Sequence, residues 1–75
     1  RLLGMRSGEA IKSLEHQLDL CMINNFKKFS VIHGKGNGIL QQAVSDYLNH
    51  CPSVKEFYFA RTEEGGTGKT YVELF

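Results

Sequence analysis

The ten residues Val31-Ile32-His33-Gly34-Lys35-Gly36-Asn37-Gly38-Ile39-Leu40 join an apolar run to an amphipathic one through three glycines, a lysine and a histidine. Here the period of the hydrophobic pattern changes. Phe29 to His33 forms a short apolar run bounded by Lys27-Lys28, with the length and borders of a buried strand. Beyond the glycines, Ile39, Leu40, Ala43, Val44, Tyr47 and Leu48 recur at helical spacing until Cys51-Pro52 stops them. The glycine segment is therefore a strand-to-helix turn, and the chain is of the α/β class.

Working outward, Ala10, Ile11, Leu14, Leu18, Cys21 and Met22 mark an earlier helix, with Ser7 as its expected N-cap, Glu9 in its first turn and Asn24-Asn25 at its end. Leu2 and Leu3, ahead of Gly4, read as the stub of a first strand. Val54 to Ala60 and Lys69 to Phe75 alternate and are rich in β-branched or aromatic residues, as strands are. The order β-α-β-α-β-β predicts a two-layer α/β sandwich. In it, a four-stranded mixed sheet ends in an antiparallel hairpin, and two helices cover one face.

At 75 residues the chain is one domain over 1–75, and it opens without Met. It is read as a piece excised from the C-terminal end of a longer protein. A domain this small buries only about 60% of its unfolded surface. No stretch reaches the roughly 20 apolar residues of a membrane span, and no leader is visible. Cys21 and Cys51 lack metal-finger spacing and are too few for a secreted disulfide scaffold, so reduced thiols and a cytoplasmic location are expected. The formal net charge of +1 announces no polyanion partner by itself. Only a local concentration of cations can.

Strand direction supplies that concentration. In an open α/β sheet, ligands bind where parallel strands end. That rim is expected to gather Arg6, His33, Lys35, Asn37, Arg61, Thr67 and Lys69, together with the N-terminus of the second helix, whose free N–H groups favour anions. The Arg61 to Gly68 connection, RTEEGGTG, is long for a hairpin, as functional or mobile loops are. Phosphate is the ligand class that suits such a rim.

The named nucleotide motifs fail in detail. A G-x-G-x-x-G fingerprint starting at Gly34 needs glycine where Ile39 stands, and a P-loop ending on Gly68-Lys69-Thr70 needs glycine at Glu63 and a helix afterwards. Glu63 and Glu64 are adjacent in a loop and read as solvent-facing, and His16, His50, Cys21 and Cys51 form no legible metal site. No cofactor is expected, and no ligand set supports a divalent metal. His33 and Lys35 are the catalytic candidates: an imidazole can exchange a proton near neutrality, and a lysine can offset charge on a phosphoryl group. The competing reading of His33 is a strand-end histidine that fixes its loop by hydrogen bonding.

Four stretches, GMRSGEAI, VIHGKGNGIL, VKEFYFA and GGTGKTYVEL, fall in order along the chain, and together they resemble an Smr (small MutS-related) domain. The resemblance implies an α/β sandwich similar to the C-terminal domain of bacterial translation initiation factor three, and a module that binds, and in several members nicks, DNA or RNA. The family's H-G-K-G motif falls on His33, Gly34, Lys35 and Gly36, and its glycine loop on Gly65, Gly66, Thr67 and Gly68. The rim and the resemblance together give the expected nucleic-acid contacts as Arg6, Gly34, Lys35, Gly36, Asn37, Arg61, Gly66, Thr67, Gly68 and Lys69. In one respect the chain departs: the family's opening L-D-x-H or L-D-x-R falls here on Arg1 and Leu3, without the acid or its basic partner.

Three functions remain open at this point. The first is an endonuclease acting on branched or nicked DNA, with His33 as acid or base and Lys35 and Arg61 holding phosphate. The second is a non-catalytic module that delivers a MutS-like ATPase core of the same parent chain to DNA, or to structured or ribosomal RNA. The third is a protein-interaction domain using aromatics on the sheet face, drawn from Phe57, Tyr58, Phe59, Tyr71 and Phe75.

Overall fold

The structure, a computed structural model, describes residues 5–35 and 38–75. Helix α1 runs Ser7–Ile23, strand β1 Lys28–Ile32, helix α2 Ile39–Asn49, strand β2 Val54–Phe59 and strand β3 Lys69–Leu74, with two short 3-10 turns, Thr62–Glu64 and Gly66–Gly68, between β2 and β3. Each element lies where the periodicity puts it. The expected first strand at Leu2-Leu3 lies outside the described residues.

The sheet differs from expectation. Among the described residues it has three strands, in the order β1-β3-β2, and both pairings are antiparallel. β3 does form the expected hairpin with β2, but it also pairs along its length with β1, from Lys28 opposite Glu73 to Ile32 opposite Lys69. β1 and β2 thus run the same way without pairing. Burial matches the choice of centre: Thr70, Val72 and Leu74 of β3 are all buried and no residue of β3 is exposed, whereas β1 and β2 each carry exposed residues, as edges do. The rim argument survives, because β1 and β2 still end where β3 begins.

Both helices lie on one face. Ala10, Leu14, Leu18 and Cys21 of α1 and Val44 and Leu48 of α2 pack with Val31, Val72 and Leu74 of the sheet into one core. At the ends of the apolar stripes the sequence overreaches, since Met22 and Ile39 are exposed. The N-cap also moves back one place: Arg6 caps α1 and supplies no side-chain bond. Asn24 ends the helix as expected, its side chain and backbone N–H both donating to the Leu20 carbonyl, at 2.9 and 3.0 Å. Cys21 is buried, and both cysteines are free. Among the described residues, no helix is long and apolar enough to cross a membrane.

The β2–β3 connection is well tied. The Arg61 carbonyl accepts from the N–H groups of Glu64 at 2.8 Å and Gly66 at 2.9 Å, and Ala60 N–H reaches the Lys69 carbonyl at 3.0 Å. Gly65 and Gly66 stand at φ of 124° and 55°, where side chains are strained, so the double glycine is what lets the loop turn back on itself.

Candidate nucleic-acid interface

Two loops meet at the rim, and a single carbonyl holds them. The Gly68 oxygen accepts from the amides of His33 at 3.1 Å and Gly34 at 2.9 Å, tying the exit of β1 to the entry of β3. The approach is close: a Cβ on Gly68 would lie 3.4 Å from the carbonyl carbon of Gly34 and equally near Lys35 Cγ. Lys35 therefore lies across the Gly66–Gly68 turn. From the other side, Gln41 of α2 donates to the Thr67 carbonyl at 2.8 Å.

His33 secures the same corner from inside. It is only 3% exposed. Its Nδ1 is 2.9 Å from the Gly34 carbonyl oxygen and its Nε2 is 2.8 Å from the equally buried Thr70 hydroxyl. A carbonyl only accepts, so Nδ1 carries the proton in that bond, and in the neutral ring Nε2 accepts from Thr70. Both nitrogens are thus engaged within the protein. Of the two readings of His33, the loop-fixing one describes this geometry.

In front of His33 opens a cleft of about 450 Å³. Arg6 and Ser7 wall it from the start of α1, Gly34 and Lys35 from the end of β1, and Gly38 and Gln41 from the start of α2. The N-cap residues Arg6 and Gly38 give no side-chain cap bond, Gly38 having no side chain to offer at φ 84°. Two helix N-termini, each carrying the positive end of a macrodipole, share this space with two cationic side chains. Among the described residues, no carboxylate lines it.

The remaining candidates divide. Arg61, exposed at the end of β2, belongs to a second cleft with Lys28, Tyr58, Glu64 and Tyr71. Lys69 also turns that way, its Nζ 5.1 Å from the Tyr71 ring centroid. Gly65, Gly68, Lys69 and Glu64 share a shallow recess with Lys35, between the two clefts. Gly36 and Asn37 lie outside the described residues. What sequence reasoning places on one rim is therefore two adjoining surfaces, one between the helix starts and one on the open sheet face.

On the open face, the Tyr58 hydroxyl donates to Glu73 at 2.6 Å, and this bond raises the phenol's pKa above its ordinary value. The neighbouring Tyr58 likewise raises the Lys28 ammonium, so both groups keep their protons at neutral pH. Tyr47, between the helices and the core, is raised chiefly by burial. Among the described residues, no three His, Cys, Asp or Glu side chains assemble as a metal-holding group.

Ser7, Gln41, Thr70 and Lys28 are site residues that motif reading did not single out. For Thr70 the signal existed: it occupies the buried phase of β3 with Val72 and Leu74, and a polar residue there demands a partner. Thr70→Val removes the hydroxyl at nearly constant volume and leaves the His33 Nε2 unsatisfied. The expected loss is about 1–3 kcal/mol in urea unfolding, with Thr70→Ser recovering most of it. Wild-type stability in Thr70→Val would mean that the bond does not hold the corner.

Comparison with known proteins agrees with this architecture. A family model for the Smr domain matches residues 1–75. Endonuclease MutS2 of Borreliella burgdorferi is 41% identical over 71 residues, and that of Clostridium tetani 44% over 73 residues, covering 95% and 97% of this chain. The chain spans 9% of the length of these relatives. Among solved structures, the Smr domain of Thermus thermophilus MutS2 superposes with a TM-score of 0.96 at 32% identity, covering 99% of this chain and 92% of that one. YdaL, a stand-alone small MutS-related protein from Escherichia coli, gives 0.90 at 25% identity, covering 97% and 60%. The fold and the match along the full length agree, and the chain belongs to the Smr domain family.

Proposed function

We propose that this chain is the DNA-binding module of a MutS2-like protein and that it grips the phosphodiester backbone in the cleft between the two helix starts. The observation that carries this reading is the cleft's composition: two helix N-termini, Arg6 and Lys35, with no carboxylate among its described walls. Backbone N–H groups at helix ends bind phosphate oxygens with little regard to base sequence. Such a grip suits a module that recognises the shape of branched or nicked DNA. The MutS-like ATPase core is then its partner, within the far longer chain implied by relatives of which it spans 9%.

A second reading, strand nicking at the same phosphate, is favoured by the relatives' name, Endonuclease MutS2. Here Lys35 offsets charge building on the phosphoryl oxygens in the transition state. His33 acts as a positioning residue, holding the loop that carries Lys35 through Gly34, Gly68 and Thr70. Its engaged nitrogens fit that role better than proton transfer to water.

Binding to a short duplex should weaken steeply with salt as counterions are released. Lys35→Ala should lower affinity and reduce the slope of log K against log salt by about one, and salt-independent binding would overturn the proposal. For nicking, wild type should convert supercoiled plasmid to open circle while Lys35→Ala loses most of that rate, by about 10²–10³-fold if it stabilises the transition state as an oxyanion donor does. Equal conversion by both proteins would remove Lys35 from the chemistry.

A further inference from the structure

The open face of the sheet carries chemistry that the phosphate cleft does not use. Tyr58 of β2 and Tyr71 of β3 stand opposite each other in register, with ring centroids 5.9 Å apart and planes tilted by 44°. Tyr58 is 40% exposed. Around the rings stand three cations. The Lys28 ammonium lies 5.2 Å from the Tyr71 centroid and 5.9 Å from that of Tyr58, Lys69 lies 5.1 Å from Tyr71, and Arg61 lines the same cleft. Three carboxylates are nearby: Glu73 accepts the Tyr58 hydroxyl bond, Glu56 stands opposite Glu73 in register, and Glu64 sits at the rim edge.

We propose that this face is a stacking platform for an unpaired DNA strand that continues from the phosphate held at the rim. The inference rests on the rim being a nucleic-acid site and adds the kind of DNA the domain prefers. Ring spacing selects the occupant. A stacked strand holds successive bases about 3.4 Å apart, so rings 5.9 Å apart suit bases that are splayed, and only an unpaired strand offers those.

Charge points the same way. In the free protein, Lys28 and Lys69 rest against the face of Tyr71. An incoming strand offers each group a stronger partner, a base for the ring and a phosphate for each ammonium, without a change of fold. Lys69 makes the two surfaces continuous: it opens β3 at the rim, beside the glycine loop, yet its side chain reaches over the open face.

The test uses a single-stranded deoxyoligonucleotide carrying one 2-aminopurine, whose fluorescence falls on stacking, beside an unmodified duplex of equal length. Wild type and Tyr71→Phe should bind and quench the single strand. Tyr71→Leu should bind it roughly tenfold more weakly, with the quench lost and the duplex affinity unchanged. Tyr58→Leu, on the edge strand, repeats the comparison should Tyr71→Leu fold poorly by circular dichroism. Single-strand affinity and quench that survive both leucine substitutions would overturn the proposal, as would equal losses on single strand and duplex. The premise is read separately: duplex affinity indifferent to Lys35→Ala would remove the rim site, whatever the tyrosines do.

Discussion

The Gly68 carbonyl takes two hydrogen bonds, from the amides of His33 and Gly34, and the buried imidazole of His33 closes the same corner on Thr70. Both loops of the candidate site hang from that knot. It fixes where β1 ends, and hence the turn that launches α2. It brings the glycine loop before β3 close enough for Lys35 to lie across it. Side chains at positions 65 and 66 would be strained by positive φ, and at 68 a Cβ would press on the Gly34 backbone. The glycines serve closeness and turning here. In the proposed binding mode, backbone donors for an anion come instead from the two helix starts nearby.

The domain shows how a chain of net charge +1 can present a cationic site. Placement does it. Arg6 and Lys35 face one cleft together with two helix dipoles, while Arg61, Lys28 and Lys69 face another, beside exposed Tyr58 and half-buried Tyr71. Glu63 and Glu64 lie in the turn between β2 and β3, and Glu64 borders the second cleft, so the carboxylates stay out of the first.

Much of this was legible in the sequence. Helical periodicity locates both helices within a residue or two, and the glycine seam reads as the strand-to-helix turn that joins β1 to α2. Strand order was not legible, because alternation in Lys69–Leu74 reports burial of one face and says nothing about which neighbours flank the strand. Placing β3 between β1 and β2 makes the described sheet three-stranded and antiparallel where a four-stranded mixed one was expected. The split of the cations into two surfaces was hidden for a related reason. Lys69 and Thr70 are adjacent in sequence but point to opposite faces, one to the tyrosines and the other to His33. His33 itself lies in phase with the buried Val31, and that phase, more than the glycines beside it, foretells an imidazole bonded within the fold.

The central claim is that DNA phosphate sits between the starts of α1 and α2. Amide chemical shifts followed by NMR during titration with a short duplex test it most directly. The account predicts the largest changes at Ser7, Gly8, Gly34, Lys35, Leu40 and Gln41, with Asn24, Phe26 and Phe75 at the opposite end nearly still. Largest changes at that opposite end, with the cleft amides unmoved, would contradict it.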